Sequence, residues 1–438
     1  MLPLQAYRER LEQIRAAAKA RAVDAPIDRI VELDEERRPL LSEVETMRAD
    51  RNRAGKAIGA AKDAEERQRL IEEQRAVASK LDDLEDRLRA FDTELDDLLL
   101  QVPNLFHELV PIGPEERNDV VLHGNPATGE EVRLERPVPK AEWPDPEPEA
   151  GMKPHWELGE ALGIIDFERG VKMSGANFYL LKGDGARLQR GLISWMLDLH
   201  REQGYTEVYP PALVNEAALI GTGQLPKFAE TMFQTTDGRW LIPTSEVPVT
   251  NMYADEILEA GSLPIHHTAY SPCFRNEQFS AGSAVRGIKR GYQFDKVEMV
   301  RFEEPDRSWD ALEELLEHAL QTVRTLGLRY RVLRLASEDL TFASAMTYDV
   351  EVWAPGAGEW LEVSSVSNFL DFQARRANLR YRTAEGKVEH LHTLNGSGLG
   401  MPRTVAAVLE QHQLEDGSIE VPLAVRPYLG GQTSIEAQ

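Results

Sequence analysis

Two stretches within the first hundred residues place an apolar or small residue alternately every four and every three positions. The first is Leu40, Val44, Met47, Ala54, Ile58 and Ala61, with Arg51 interrupting. The second is Val77, Leu81, Leu84, Leu88, Phe91, Leu95 and Leu98, and it ends before Pro103. A seam of this period stays on one side of an α-helix and is stable only when buried against another helix. The polar stretch between them, 62–69, is short, so the pair predicts an antiparallel helical hairpin. At ~1.5 Å per residue, an arm of about thirty residues projects roughly 45 Å.

Charge divides this arm. Residues 47–80 hold nine basic and six acidic side chains, a balance of +3, whereas 81–100 hold eight acids and two arginines, a balance of −6. The whole chain carries −24. The distal half is therefore the basic part of an acidic protein, where a phosphate backbone finds its counter-charge. A solvated coiled-coil face is the plainer reading of the same charges.

With 438 residues the chain exceeds what one hydrophobic core supports, so two domains are expected. No run of eighteen apolar residues occurs, which leaves a membrane span unsupported. The N-terminus lacks the basic flank and apolar core of a secretory signal, so a cytoplasmic protein is expected. The single cysteine, Cys273, permits neither an internal disulfide nor a zinc cluster, and any metal must take oxygen ligands. His266 and His267 lie in an apolar strand context with no Cys or acid cluster nearby and are expected to pack, not to bind metal.

Prolines 137, 139, 144, 146 and 148 lie among charges and exclude helix and central strand there, so a linker is placed at 135–151. Beyond it, 207–209, 348–353 and 360–365 alternate as strands do, while 187–202, 308–326 and 404–413 have helical spacing. Neither of the common Gly-rich phosphate loops is present, so a nucleotide here must be gripped by arginines and metal-bound carboxylates. Ser271-Pro-Cys-Phe-Arg-Asn-Glu277 sets Arg275 and Glu277 two apart on one strand face, and Tyr292-Gln-Phe-Asp-Lys-Val-Glu298 reads as a returning strand. Thr244-Ser-Glu246 forms a polar turn, Glu362-Val-Ser-Ser365 ends an alternating strand, and Asn395-Gly-Ser-Gly-Leu-Gly-Met-Pro-Arg403 leads into a helix.

In order and spacing these clusters resemble the bacterial-type seryl-tRNA synthetases, a family of class II aminoacyl-tRNA synthetases, over nearly the whole chain. Gly204-Tyr-Thr-Glu-Val-Tyr-Pro-Pro211 and Gly221-Thr-Gly-Gln-Leu-Pro-Lys227 are similar to the family's motif 1 region. Phe274-Arg-Asn-Glu277 through Glu298 is similar to motif 2, and 395–410 to motif 3. The segments 368–380 and 416–422 are also characteristic.

The resemblance implies an α+β protein: an N-terminal antiparallel two-helix arm (1–110) that binds tRNA, a linker (111–150), and a catalytic and dimerisation domain of antiparallel sheet flanked by helices (151–438). It implies ATP-dependent ligation of L-serine to tRNA(Ser), extending to the selenocysteine tRNA, by a homodimer without a membrane. By the same resemblance Arg275 and Arg403 are catalytic. ATP falls to Arg275, Asn276, Glu277, Phe294, Glu362, Val363, Ser364, Ser365 and Arg403, and Mg²⁺ accompanies it on Glu362 and Ser365, with no zinc expected. Serine falls to Thr244, Ser245, Glu246, Arg275, Glu298 and Ser397, and tRNA to Arg48, Arg51, Arg53, Lys56 and Lys62.

The chain departs from the family pattern at Ser283 and Ala284, where Arg and Asp are usual, at Gly291-Tyr292, at Ser337-Glu-Asp339 and at Met346-Thr347. These changes suit a paralogue that loads a carrier protein or another acceptor. A non-catalytic RNA-binding homologue is the remaining alternative, and retention of Arg275, Glu277, Glu298, Glu362 and Arg403 argues against it.

Overall fold

The computed structural model describes residues 1–147, 149–277 and 286–437. Two compact units divide the chain between Pro103 and Asn104.

The first unit contains helices α1 (Leu4–Glu9), α2 (Leu11–Ala20), α3 (Ile27–Ala60) and α4 (Ala64–Leu99). The two seams face each other: Leu40, Val44, Leu81, Leu84 and Leu88 form one buried cluster, with Met47 and Phe91 packed against it. Helix α3 starts well before the seam, at Ile27, and passes through Pro39. Its early turns bury Ile30 and Leu33, and Arg8 pairs with the buried Asp34 at 2.6 Å. The turn between α3 and α4 is shorter than the polar stretch suggests. Asp63 ends it by accepting from the Glu65 and Glu66 amides at 2.9 Å, which caps the first turn of α4. Lys80 reaches Glu43 and Arg48 reaches Glu85 across the pair, so residues near 44 and 84 lie side by side.

The second unit is built on a nine-stranded sheet. Its strands are β1 (Asp119–Asn125), β2 (Glu130–Pro139), β3 (Thr206–Val208), β4 (Ile265–Phe274), β5 (Gln293–Glu303), β6 (Tyr330–Arg334), β7 (Met346–Ala354), β8 (Glu359–Leu370) and β9 (His392–Gly400). They lie in the order β2-β1-β6-β7-β8-β9-β5-β4-β3, antiparallel throughout except for the β3–β4 pair. Val297 and Met299 of β5, Val332 of β6, Val350 and Val352 of β7, Val366 of β8 and Leu394 of β9 join one core. Leu312, Leu315, Leu316 and Leu320 of the helix Ser308–Thr325 complete it, with Leu188, Leu192 and Met196 of the helix Asp184–Glu202. Because side chains alternate across a pleated strand, Lys296 and Glu298, flanking Val297, face the other side. That side carries the site.

The stretch 111–150, expected as a linker, instead supplies β1 and β2. Val120 and Leu122 of β1 are buried, and the strand pairs with β6 on one side and β2 on the other. Pro137 and Pro139 lie on β2 at the edge of the sheet, where a missing N–H leaves no neighbouring strand unpaired. No helix among the described residues is long and apolar enough to cross a membrane.

Candidate active site

A cavity of about 490 Å³ opens on the polar face of the sheet. Thr244, Glu246, Arg275, Glu277, Phe294, Glu362, Val363, Ser365, Ser397 and Arg403, all singled out from the sequence, line it. Four other expected residues do not: Glu298, which is buried and bonded to the lining residue Thr244, and Ser245, Asn276 and Ser364. Ser245 is fully buried and bonds Ser271 at 2.5 Å. The Asn276 amide donates to the Thr231 carbonyl at 2.8 Å, and its side chain reaches the Glu230 carbonyl. The Ser364 hydroxyl donates to the Ser397 carbonyl at 2.6 Å. Each of the last three stands between two residues that line the cavity. For Ser364 the cause is the alternation of side chains along β8, whereas Ser245, at φ −64° and ψ −19°, leads into the helical turn Glu246–Thr250 and is turned inward by that change of backbone.

One end of the cavity is a tight polar knot. Glu298, on β5 beside Ser397 of β9, is buried, with Lys296 Nζ against one of its oxygens. Thr244 Oγ1 donates to Glu298 Oε2 at 2.9 Å and accepts from Lys296 Nζ at 2.9 Å and from the Glu246 amide at 3.1 Å. Asn395 Nδ2 donates to the other Glu298 oxygen at 3.3 Å. Glu246 accepts from Gln373 Nε2 at 2.7 Å. Burial, with the Glu298 charge adding to it, pushes the Glu246 carboxyl up to about 7, against the pull of Gln373, Lys296 and Arg275. An incoming ammonium group would offset the Glu298 charge and draw the Glu246 carboxyl back down.

The other end holds the arginines. Arg275 lies over the Phe294 ring at 5.1 Å. Arg403 Nη1 donates to the Glu362 carbonyl at 2.8 Å and to its carboxylate at 3.0 Å, while Nε reaches the Lys289 carbonyl. The walls around Glu362 desolvate its carboxyl and push it up, but Arg403, Arg275 and Lys296 outweigh that and hold it below the usual range. Behind it Asp349 is raised well above the carboxylate range by burial and by the Glu362 charge. Glu362 and Ser365 present a carboxylate and a hydroxyl to the cavity, a donor set of the oxygen type that Mg²⁺ takes. Among the described residues no group of three or more His, Cys, Asp or Glu side chains could hold a metal.

Sequence reasoning assigned no site role to Lys296, Asn395, Gln373 and Lys289, and noted Arg290 only as an arginine kept in the motif 2 loop. For the first two a signal existed, since Lys296 stands two before Glu298 and Asn395 two before Ser397, hence on the same strand faces. Gln373 comes from the distant helix Phe372–Arg376, which no local pattern joins to Glu246. His266 and His267 bond Glu303 and Tyr253, in keeping with a packing role. The departures at Ser283 and Ala284 lie outside the described residues. In the arm Arg48 pairs with Glu85 and Arg53 with Asp50, while Lys56 and Lys62 are exposed.

Residues 1–106 match the model for the seryl-tRNA synthetase N-terminal domain, and 232–412 that for the tRNA synthetase class II core domain (G, H, P, S and T). A serine–tRNA ligase of Chloroflexus aurantiacus is 51% identical, with 99% of this chain and 100% of that protein covered. The crystal structure of seryl-tRNA synthetase from Pyrococcus horikoshii complexed with ATP superposes with a TM-score of 0.87 at 32% identity, covering 100% of both chains. The cytoplasmic serine–tRNA ligase of Naegleria fowleri in complex with AMP gives 0.84 at 28% identity, covering 100% and 99%.

Proposed function

The chain belongs to the seryl-tRNA synthetase family, and from that premise we propose how its cavity divides the labour of an ATP-dependent serine–tRNA ligase. In the first step a serine carboxylate oxygen attacks the α-phosphorus of ATP and pyrophosphate leaves. In the second, a hydroxyl of the tRNA terminal ribose attacks the resulting acyl adenylate and AMP leaves.

Serine sits in the knot around Glu298. Its ammonium lies near Glu246 and Glu298, and its hydroxyl among Thr244, Ser397 and Asn395. A buried polar set of this kind rejects alanine, which would leave those groups unpaired. Arg275 bridges the serine carboxylate and the α-phosphate and stabilises the charge that grows as the bond forms. Its stacking on Phe294 leaves the outer face of that ring for adenine, with Glu277 accepting from the base's amino group. Arg403 takes the terminal phosphate, exchanging its contact with Glu362 for one with ATP. Glu362 and Ser365 hold Mg²⁺, which when bound neutralises phosphate charge. The basic distal arm, with Arg48, Arg51, Arg53, Lys56 and Lys62, takes the tRNA backbone. The enzyme works in the cytoplasm as a homodimer joined through the motif 1 region, where Tyr209 stands 86% exposed in the single chain.

The observation that carries this reading is the convergence of Thr244, Lys296, Glu298, Asn395 and Ser397 at one end of a cavity whose other end holds Arg275 and Arg403. Pyrophosphate exchange measured with each of the twenty amino acids tests it. Serine alone is expected to support exchange, and equal exchange with threonine or alanine refutes the assignment of the knot.

A further inference from the structure

One buried side chain outside the cavity joins two of its walls. His155 opens the short helix His155–Ala161, and neither it nor Glu410 exposes any of its side chain. Glu410 lies on the helix Met401–Gln411, which also carries Arg403. Its Oε1 accepts from the His155 amide at 2.9 Å and from His155 Nδ1 at 2.6 Å, and its Oε2 accepts from the Gly356 and Ala357 amides at 2.9 Å. The carboxylate is thereby saturated and fixes the ring. The far nitrogen of that ring, Nε2, accepts from the Ile288 amide at 3.2 Å. Since Nε2 accepts, the ring hydrogen is on Nδ1, the tautomer that Glu410 requires.

The approach is close. Gly287 has φ +85°, and a Cβ there would lie 2.0 Å from His155 Nε2. Trp156 adds its ring, 5.0 Å from the Arg286 guanidinium and 5.8 Å from Lys289 Nζ. The next residues, Lys289 and Arg290, line the cavity. Arg290 lies 3.9 Å from Glu277, and the Lys289 carbonyl accepts from Arg403. The segment 286–290 thus spans from the adenine end to the terminal-phosphate end. Ile288 is itself buried, but apolar contact does not set direction. A hydrogen bond does, and this one fixes which way the Ile288 peptide points and hence where Lys289 and Arg290 project.

We propose that His155 is a positioning residue for ATP, tying the Arg403 helix to the 286–290 segment so that the cations at both ends of the triphosphate are held at a fixed spacing. This rests on the reading of the cavity as the ATP site. Two variants separate the two ring bonds. His155→Asn keeps a donor toward Glu410 and loses the acceptor for Ile288; His155→Gln keeps the acceptor and loses the donor.

In serine-dependent pyrophosphate exchange, His155→Asn is expected to raise the KM for ATP about tenfold with the KM for serine unchanged, and His155→Gln is expected to restore most of the ATP KM. Gly287→Ala, whose Cβ would meet the ring from the partly exposed side of the same contact, displaces the ring at the cost of some backbone strain and is expected to raise the ATP KM alike. An unchanged ATP KM in His155→Asn overturns the proposal, as does a parallel rise in both KM values. Should His155→Asn fail to fold, an unchanged ATP KM in Gly287→Ala overturns it. If wild-type exchange needs neither ATP nor serine, the cavity reading falls and takes this role with it. Exchange that needs both, with an unaltered His155→Asn variant, removes only the role of His155.

Discussion

At the scale of single residues the site is a problem of packing two carboxylates and two cations into one recess. Lys296 and Arg275 bring the charge of Glu246 and Glu298 toward balance, yet Glu246 keeps its proton up to about 7 because burial disfavours its charged form. A carboxyl whose value in the folded chain lies above its ordinary one binds protons more tightly folded than unfolded. Its contribution to stability is therefore complete below the ordinary carboxyl range and is lost as pH rises to about 7. Glu246→Gln removes the titration and keeps an acceptor for Gln373. Relative to the wild type, the variant is expected to gain stability between pH 4 and pH 8 by up to an amount on the order of 3 kcal/mol, read from urea denaturation at several pH values. A difference that stays flat with pH shows that Glu246 binds protons alike in the folded and unfolded chain. Residue types were legible in the sequence wherever a charge or hydroxyl stood at alternate positions; that Ser245, Asn276 and Ser364 stand off the cavity lining was not, because a short motif does not declare which of its members faces inward.

At the scale of elements the heptad seams were plain, because burial of Leu40, Val44, Leu81, Leu84 and Leu88 demands that spacing. The beginning of α3 was not, since its first turns pack against α1 through Arg8 and Asp34, a contact that no period announces. The strands β1 and β2 were hidden for a different reason: edge prolines mimic a linker, and only the pairing of β1 with β6 and of β2 with β1 tells them apart. The arm also offers the clearest division of function. Residues near 44 and 84 are adjacent across the helices, so deleting 44–84 and closing the gap with a turn leaves the base of the hairpin paired. Serine-dependent pyrophosphate exchange should persist in this variant, while charging of tRNA should fall about a hundredfold or more. Raising the salt concentration should weaken tRNA binding by the full chain far more than by the shortened one, because the phosphate contacts go with the arm. Equal charging by the two proteins would show the hairpin to be only a solvated coiled coil.

At the scale of the whole molecule the class of fold followed from the sequence, whereas the sheet order β2-β1-β6-β7-β8-β9-β5-β4-β3 did not, because it is set by pairings between residues as distant as Val120 and Leu333. The site inherits this: the knot gathers Thr244, Lys296, Gln373 and Asn395 from four separate elements. Assembly is the remaining large-scale property. Sedimentation equilibrium is expected to give twice the chain mass of 49.3 kDa, and Tyr209→Glu, which places a charge where the motif 1 region is proposed to meet its copy, is expected to shift the population toward the single-chain mass. A monomeric wild type, or a variant that dimerises as tightly, would move the interface elsewhere.

The triplets 275–277 and 363–365 make the cavity wall there one residue thick, with its lining on one side and its anchors on the other. Such a wall has a reading frame. Exchanging one lining side chain edits a single letter, but inserting or deleting one residue within a triplet turns anchors into lining and lining into anchors. Drift in substrate preference along this lineage should therefore proceed by substitution at constant length in these two places, with changes in length confined to the turns between strands.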